Sequence, residues 1–296
     1  MAHPTPVRGL APSSRLDDAA RRILVCRLAD VRLPESSVME EVSMDGVHDM
    51  RVATRRLRAA LQVFQEVGGL GKLERRVKRL QDALGEVRDL HVQRDWMAEA
   101  AKGEKPQRRR VLEELRTQRE PLLRQKEQHL RGELKRWTAR TVPALLSQMA
   151  RLQDARAYGG KYVRRHLRWR VRRVEKRIER YMQASDALSA HALRKELKKL
   201  RYELEIFQPA LPRTMNALLE VLVPLQGLLG EVHDADVRLE LFERTAAEAP
   251  SPQREAALKL LDKVREERTQ RAAEIARELQ RWQSEQLTRG LRRVLH

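Results

Sequence analysis

The chain has 296 residues, and 61 Lys and Arg against 42 Asp and Glu give it a net charge of +19. Its single cysteine, Cys26, excludes a disulfide framework and any multi-cysteine zinc or iron–sulfur site. No run approaches the roughly 18 apolar residues of a membrane span, and the first residues lack a signal peptide's apolar core, so a cytoplasmic location and no membrane partner are expected. The basic excess points to a polyanionic partner or acidic surface, not to a fold.

Charged residues make up 35% of the chain and aromatics 4%, a balance also found in disordered chains. The apolar residues nevertheless recur at helical spacing, and no stretch alternates long enough for a strand, so the fold class is all-α. Eight helices are expected. The first, 16–33, carries Arg21, Arg22 and Arg27. The second, 47–67, repeats Val47, Met50, Leu57, Leu61 and Phe64, with Thr54 in the gap. The third, 70–99, contains Leu84-Gly85-Glu86-Val87-Arg88-Asp89. The fourth, 106–139, should kink or break at Pro121. A linker, 141–160, ends in Tyr158-Gly159-Gly160. The fifth helix, 161–183, has ten basic residues against Glu175 and Glu179 between Lys161 and Met182. The sixth, 188–208, repeats Leu193, Leu197, Leu200, Leu204 and Phe207. The seventh, 213–245, should kink at Pro224, with Gly227 and Gly230 allowing a close helix contact, and the eighth covers 252–290.

These eight segments are one unit written twice. Val47–Phe64 aligns with Ala190–Phe207, matching His48 to His191, Arg51 to Arg194, Leu57 to Leu200, Arg58 to Arg201, Leu61 to Leu204 and Phe64 to Phe207. Arg55 and Arg56 become Lys198 and Lys199, which keeps the charge. Leu80–Val92 aligns with Leu225–Val237 at eight identical positions of 13. Each half is therefore read as four helices with short loops, the first at 16–140 and the second at 161–290, within a domain of 17–289 preceded by a tail of 1–15.

His48, Arg51, Arg55 and Arg58 are spaced three, four and three, which places them on one stripe beside the apolar one. His191, Arg194, Lys198 and Arg201 repeat that stripe, Arg56 and Lys199 border the other side of the apolar stripe, and Lys195 joins the expected binding cations. Like charges so placed repel by roughly 0.2–0.5 kcal/mol per pair. The stripe meets no acid until Glu205, so a bound anion is the expected offset. Arg21, Arg22, Arg164, Arg165 and Arg168 would flank it. Asp89 and Asp234 are read as buried acids that aim a stripe arginine, and Gly85 and Gly230 as close packing points.

At these residues the chain resembles the CHAD family (conserved histidine α-helical domain). The signature is His48-x-x-Arg51-x-x-x-Arg55-Arg56-Leu57-Arg58, repeated in degenerate form from His191 to Arg201, together with the Leu-Gly-Glu-Val-Arg/His-Asp element. The likeness runs from about Asp17 to Arg289. It implies two pseudo-symmetric four-helix bundles whose basic surface and central pore bind inorganic polyphosphate. Members often lie on polyphosphate granules or are fused to a triphosphate-hydrolysing CYTH domain, for which this chain leaves almost no residues. The family often reads Arg-Asp-x-Asp after the Leu-Gly. Here His91 replaces the last acid in one half and His233 the arginine in the other, so the halves could bind unequally.

The expected function is thus noncatalytic polyphosphate binding, with the alternative of a nucleic-acid or generic polyanion binder. Only 11 aromatics are present, most of them on apolar stripes or helix ends, and single-strand binding usually needs stacking platforms. An enzyme is not expected. There is no Walker loop and no obvious carboxylate cluster for a metal, and His233-Asp234-Ala235-Asp236 only weakly resembles a metal phosphohydrolase element. No cofactor or metal is expected, and the oligomeric state is open.

Overall fold

The computed structural model describes residues 4–284, and no strand forms among them. Residues 285–290, the expected end of the eighth helix, lie outside the described residues. Two compact units form, one of Met1–Ala100 and Glu113–Gly160, the other of Ala101–Leu112 and Lys161–His296.

Unit 1 starts with α1 (Leu16–Arg32). Asp17 and Asp18 sit in its first turn, where carboxylates oppose the positive helix end. Leu16, Ala19, Ala20, Ile23, Leu24, Leu28 and Val31 recur at helical spacing and are all buried. The short α2 (Glu35–Glu40) was not anticipated. Its Glu35 is buried and accepts a hydrogen bond from the Thr138 hydroxyl. Next, α3 (Met44–Val63) is capped by Ser43, whose Oγ accepts from the Gly46 amide at 3.2 Å. A Cβ at Gly46 would come within 2.9 Å of both that oxygen and Val38 Cγ2, so the cap requires glycine. Its buried Val47, Met50, Leu57, Leu61 and neighbouring Phe64 confirm the stripe read from the sequence, and α3 packs on α1.

The long helices α4 (Gly71–Lys102) and α5 (Pro106–Arg136) follow. Lys126 Nζ to Glu86 at 3.1 Å and buried His91 Nε2 to Glu127 at 3.5 Å hold them side by side. Pro121 does not break α5, and Pro224 does not break α9 (Pro212–Glu248). The expected linker is mostly helix. After α5 the chain makes a π turn over Trp137–Thr141, then α6 (Val142–Ala150). Pro143 has no amide to give to the i−4 carbonyl, and the turn before it widens so that the Val142 amide reaches Trp137 instead. Only 151–160 is non-helical. Arg21 donates to the Met149 and Leu152 carbonyls at 3.2 and 3.1 Å, satisfying the end of α6.

Unit 2 stacks in sequence: α7 (Lys161–Ala184) on α8 (Ala187–Phe207), α8 on α9, and α9 on α10 (Ser251–Ser284). Asp186 caps α8 by accepting from the Ser189 amide at 2.6 Å. The tip of the α4–α5 hairpin belongs to this unit, where Lys263 Nζ meets Glu104 at 2.8 Å. One window of α9 corrects the sequence reading: 18 residues with a mean hydropathy of 1.3 make it apolar enough to span a membrane by length and composition. Its Leu218, Leu222, Leu225, Leu229 and Val232 are instead buried where α9 meets α8 and α10. Gly227 and Gly230 are not close-contact points, because a Cβ at either would find no neighbour within 4 Å.

Candidate functional site

In unit 1 the helical register of α3 sets His48, Arg51, Arg55 and Arg58 along one half-exposed line. Arg55 has no acid partner among the described residues. Arg51 Nη2 lies 3.4 Å from Asp89 Oδ1, so the expected pairing exists. Asp89 is not buried, however: its side chain is 67% exposed. Gly85 faces that arginine, and a Cβ there would stand 3.6 Å from Arg51 Nε, an ordinary contact. Arg58 is paired with Glu74 of α4, which also accepts from Gln62 at 2.8 Å. The stripe is therefore less naked than its own helix suggested, because acids arrive from α4. Arg56 is 4% exposed and cannot serve as a surface cation. Arg22 pairs with Asp18 at 2.9 Å, and Arg21 is occupied with backbone carbonyls, so neither is an idle flanking charge.

Burial holds the His48 imidazole below its ordinary pKa, with Arg88 and Arg51 adding to the effect and Asp49 opposing it. His48 is therefore neutral at pH 7 and can accept a proton when an anion arrives.

In unit 2 the same line runs through His191, Arg194, Lys198 and Arg201 on α8. Arg201 Nε meets Glu205 at 3.0 Å, and Lys199 Nζ meets Glu196 at 3.1 Å. Lys195 is exposed with no acid partner among the described residues. His191 is likewise held low by burial and by Lys195, Arg194 and Lys198. Its ring lies 5.1 Å from that of His233, the position at which unit 1 carries Arg88. His233 thus sits beside His191, whereas His91 faces Glu127 of α5. Asp234 lines a small cavity with Glu231, Arg238 and Glu267. Burial there lowers the Arg238 pKa, against the pull of Asp234 and Glu267.

The remaining predicted cations lie on α7. Arg164 is half-buried, Arg165 and Arg168 are exposed, and the Arg165 guanidinium stands 5.9 Å from the Tyr162 ring centre. The sequence reading missed the centre of this helix. Arg170 is buried and forks onto two acids of α8, with Nη1 to Glu196 at 2.7 Å and Nη2 to Glu203 at 2.6 Å. Arg173 Nη2 also reaches Glu196, at 3.1 Å. Burial opposes ionisation of Glu196, but Arg173, Lys199 and Arg170 outweigh it and hold its pKa down to about 2. Burial pushes Glu203 upward against Arg170. The signal was available: Arg27 and Arg170 are equivalent in the repeat, and Glu196 and Glu203 are seven apart on the face toward α7.

No group of three or more His, Cys, Asp or Glu able to hold a metal occurs among the described residues. The two stripes present guanidinium forks and ammonium groups, a donor set suited to phosphate oxygens.

The CHAD domain family model matches residues 22–243. The chain is similar to the crystal structure of the CHAD domain from the plant Ricinus communis, at 25% identity and a TM-score of 0.74, covering 99% of this chain and 96% of that one. It shares its fold with PptA from Streptomyces chartreusis, at 15% identity and a TM-score of 0.63, covering 90% of this chain and 100% of that one. No match is found among curated proteins. With a family model spanning most of its length and a helical fold of the same kind, the chain belongs to the CHAD family.

Proposed function

We propose that this protein binds inorganic polyphosphate without chemical turnover, through the basic faces of α3 and α8. The observation that supports this most is the recurrence of one cation line in both units, with Arg55 on the first line and Lys195 beside the second left without acid partners among the described residues. Membership of the CHAD family supports it as well. Arginine forks take phosphate oxygens two at a time, and lysines add mobile point charges. Displacement of counterions from the polyanion then drives association, by the physics that makes nucleic-acid binding salt-dependent. His48 and His191 start neutral and gain charge as phosphate approaches. A cytoplasmic protein so built would be carried onto polyphosphate granules.

The test is calorimetric titration with long-chain polyphosphate at two salt concentrations, with duplex DNA of equal charge as competitor. Tight binding that DNA fails to displace is the expected result. Equal affinity for both would reduce the protein to a generic polyanion binder, and no heat at low salt would overturn the reading.

A further inference from the structure

Trp169 is the most exposed aromatic side chain among the described residues, and Trp96 and Tyr202 are half-buried. Trp137, Trp282, Phe64, Phe207, Phe242, Tyr158, Tyr162 and Tyr181 are buried. Trp169, in the middle of α7, is 54% exposed. Burying an indole is worth a few kcal/mol, so leaving one in water on the most basic helix of the chain calls for a reason.

The ring is exposed yet fixed. The guanidinium carbons of Arg170 and Arg173 stand 4.6 and 4.9 Å from its centre. Both guanidinia are tied to Glu196, and Arg170 also to Glu203. Two anchored cations therefore back the indole, and more than half of its surface faces solvent. Around it the helical register sets Arg165, Arg168, Arg172 and Lys176 on the same outward face, all exposed. These positions span about 16 Å along the axis at about 1.5 Å per residue. The acids nearest in register, half-buried Glu175 and exposed Glu179, do not interrupt the face between Arg165 and Arg172, and Glu179 closes it beyond Lys176.

Inorganic polyphosphate offers such a surface only charge; it has nothing flat for an indole to stack on. A ligand that carries both phosphates and planar rings uses every group in the stripe. The face is open, which suits a strand laid along it, and a duplex would keep its bases out of the indole's reach. We propose that the outer face of α7 binds single-stranded nucleic acid, with Trp169 stacking on a base and Arg165, Arg168, Arg172 and Lys176 holding the neighbouring phosphates. The anchoring by Arg170 and Arg173 pays the ring's ordering cost before the strand arrives. This surface goes beyond the polyphosphate-binding lines on α3 and α8 and does not depend on them.

The experiment titrates the full chain with a 12-nucleotide oligo(dA), with an abasic strand of the same length and with polyphosphate of matched charge, all at one salt concentration. The wild-type protein should bind oligo(dA) about tenfold tighter than the abasic strand, the scale of one stacked base. Its tryptophan fluorescence should be quenched by oligo(dA) alone. Trp169→Leu should erase that preference while leaving affinity for the abasic strand and for polyphosphate unchanged, and Trp169→Phe should keep part of it. Equal wild-type affinity for oligo(dA) and the abasic strand would overturn the proposal and needs no variant. So would a Trp169→Leu protein that folds normally and keeps the preference. Absence of polyphosphate binding would instead strike at the function proposed for α3 and α8.

Discussion

The pairing pattern of the cation lines makes a charge-resolved prediction. Arg55 and Lys195 have no acid partner among the described residues, whereas Arg58 and Arg201 are bound to Glu74 and Glu205. Only a cation that exchanges small anions for phosphate adds to the salt dependence of binding. For a flexible single-stranded polyanion each such contact contributes about 0.7 to the slope of log K against log salt. Replacing both Arg55 and Lys195 by glutamine should therefore lower the slope by about 1.4, shrinking the affinity ratio between about 50 and 200 mM salt roughly sevenfold. A second protein removes both pairs, Arg58→Gln with Glu74→Gln and Arg201→Gln with Glu205→Gln. Its net charge is unchanged, and its slope should match the wild type. Polyphosphate titration by calorimetry at four salt concentrations measures all three slopes, and thermal unfolding checks that each variant folds. If removing the neutral pairs flattens the slope as much as removing Arg55 and Lys195, the pairs open on binding and the reasoning fails.

Other expectations follow from single contacts. Arg170→Met leaves Glu203 buried without its partner and should cost about 3–5 kcal/mol in urea unfolding at pH 7, with a smaller loss near pH 4, where the carboxyl can protonate. Glu196 has a folded pKa of about 2, below its unfolded value, so its share of stability is full above pH 4.5 and disappears as the pH falls toward 2. Glu196→Gln should flatten that part of the acid-unfolding profile. His48 and His191 are held below the ordinary imidazole pKa, so they stabilise the fold above that value and withdraw the contribution as pH drops through it. Polyphosphate should reverse the depression, and calorimetry in buffers of different ionisation heat should show proton uptake at pH 6.5 that falls in the His48→Gln, His191→Gln double variant. Arg21→Gln frees two carbonyls at the end of α6 and should cost about 1–2 kcal/mol.

The all-α class, the apolar stripe of α3 and the signature line of cations were legible because each depends on spacing along one helix. What failed depends on a second chain segment. Arg56 borders the stripe on a helical wheel, yet it is buried, and no wheel shows which side another helix covers. Glu74 lies 16 residues from Arg58 and reaches it only because α4 folds back along α3. Most of the expected linker is helix because Val142, Leu145 and Met149 have helical spacing and are buried, and only its Tyr158-Gly159-Gly160 end is loop-like. Pro121 and Pro224 do not interrupt their helices, since both α5 and α9 run through them. The exposure of Trp169 is a property of packing, which a count of aromatics does not reveal.

The segment that leads into α1 and the 151–160 segment meet at one place. Leu16 donates to the Arg156 carbonyl at 2.7 Å, Tyr158 to Ser14 at 2.9 Å and Gly159 to Pro12 at 2.9 Å. A Cβ on Gly159 would come within 2.6 Å of the Pro12 ring, so the contact admits no larger residue there. A folded body that starts and finishes at the same spot can be cut at one loop and rejoined at another without stretching its backbone. Circular permutants that join Gly159 to Pro12 and open the chain elsewhere are thus geometrically accessible.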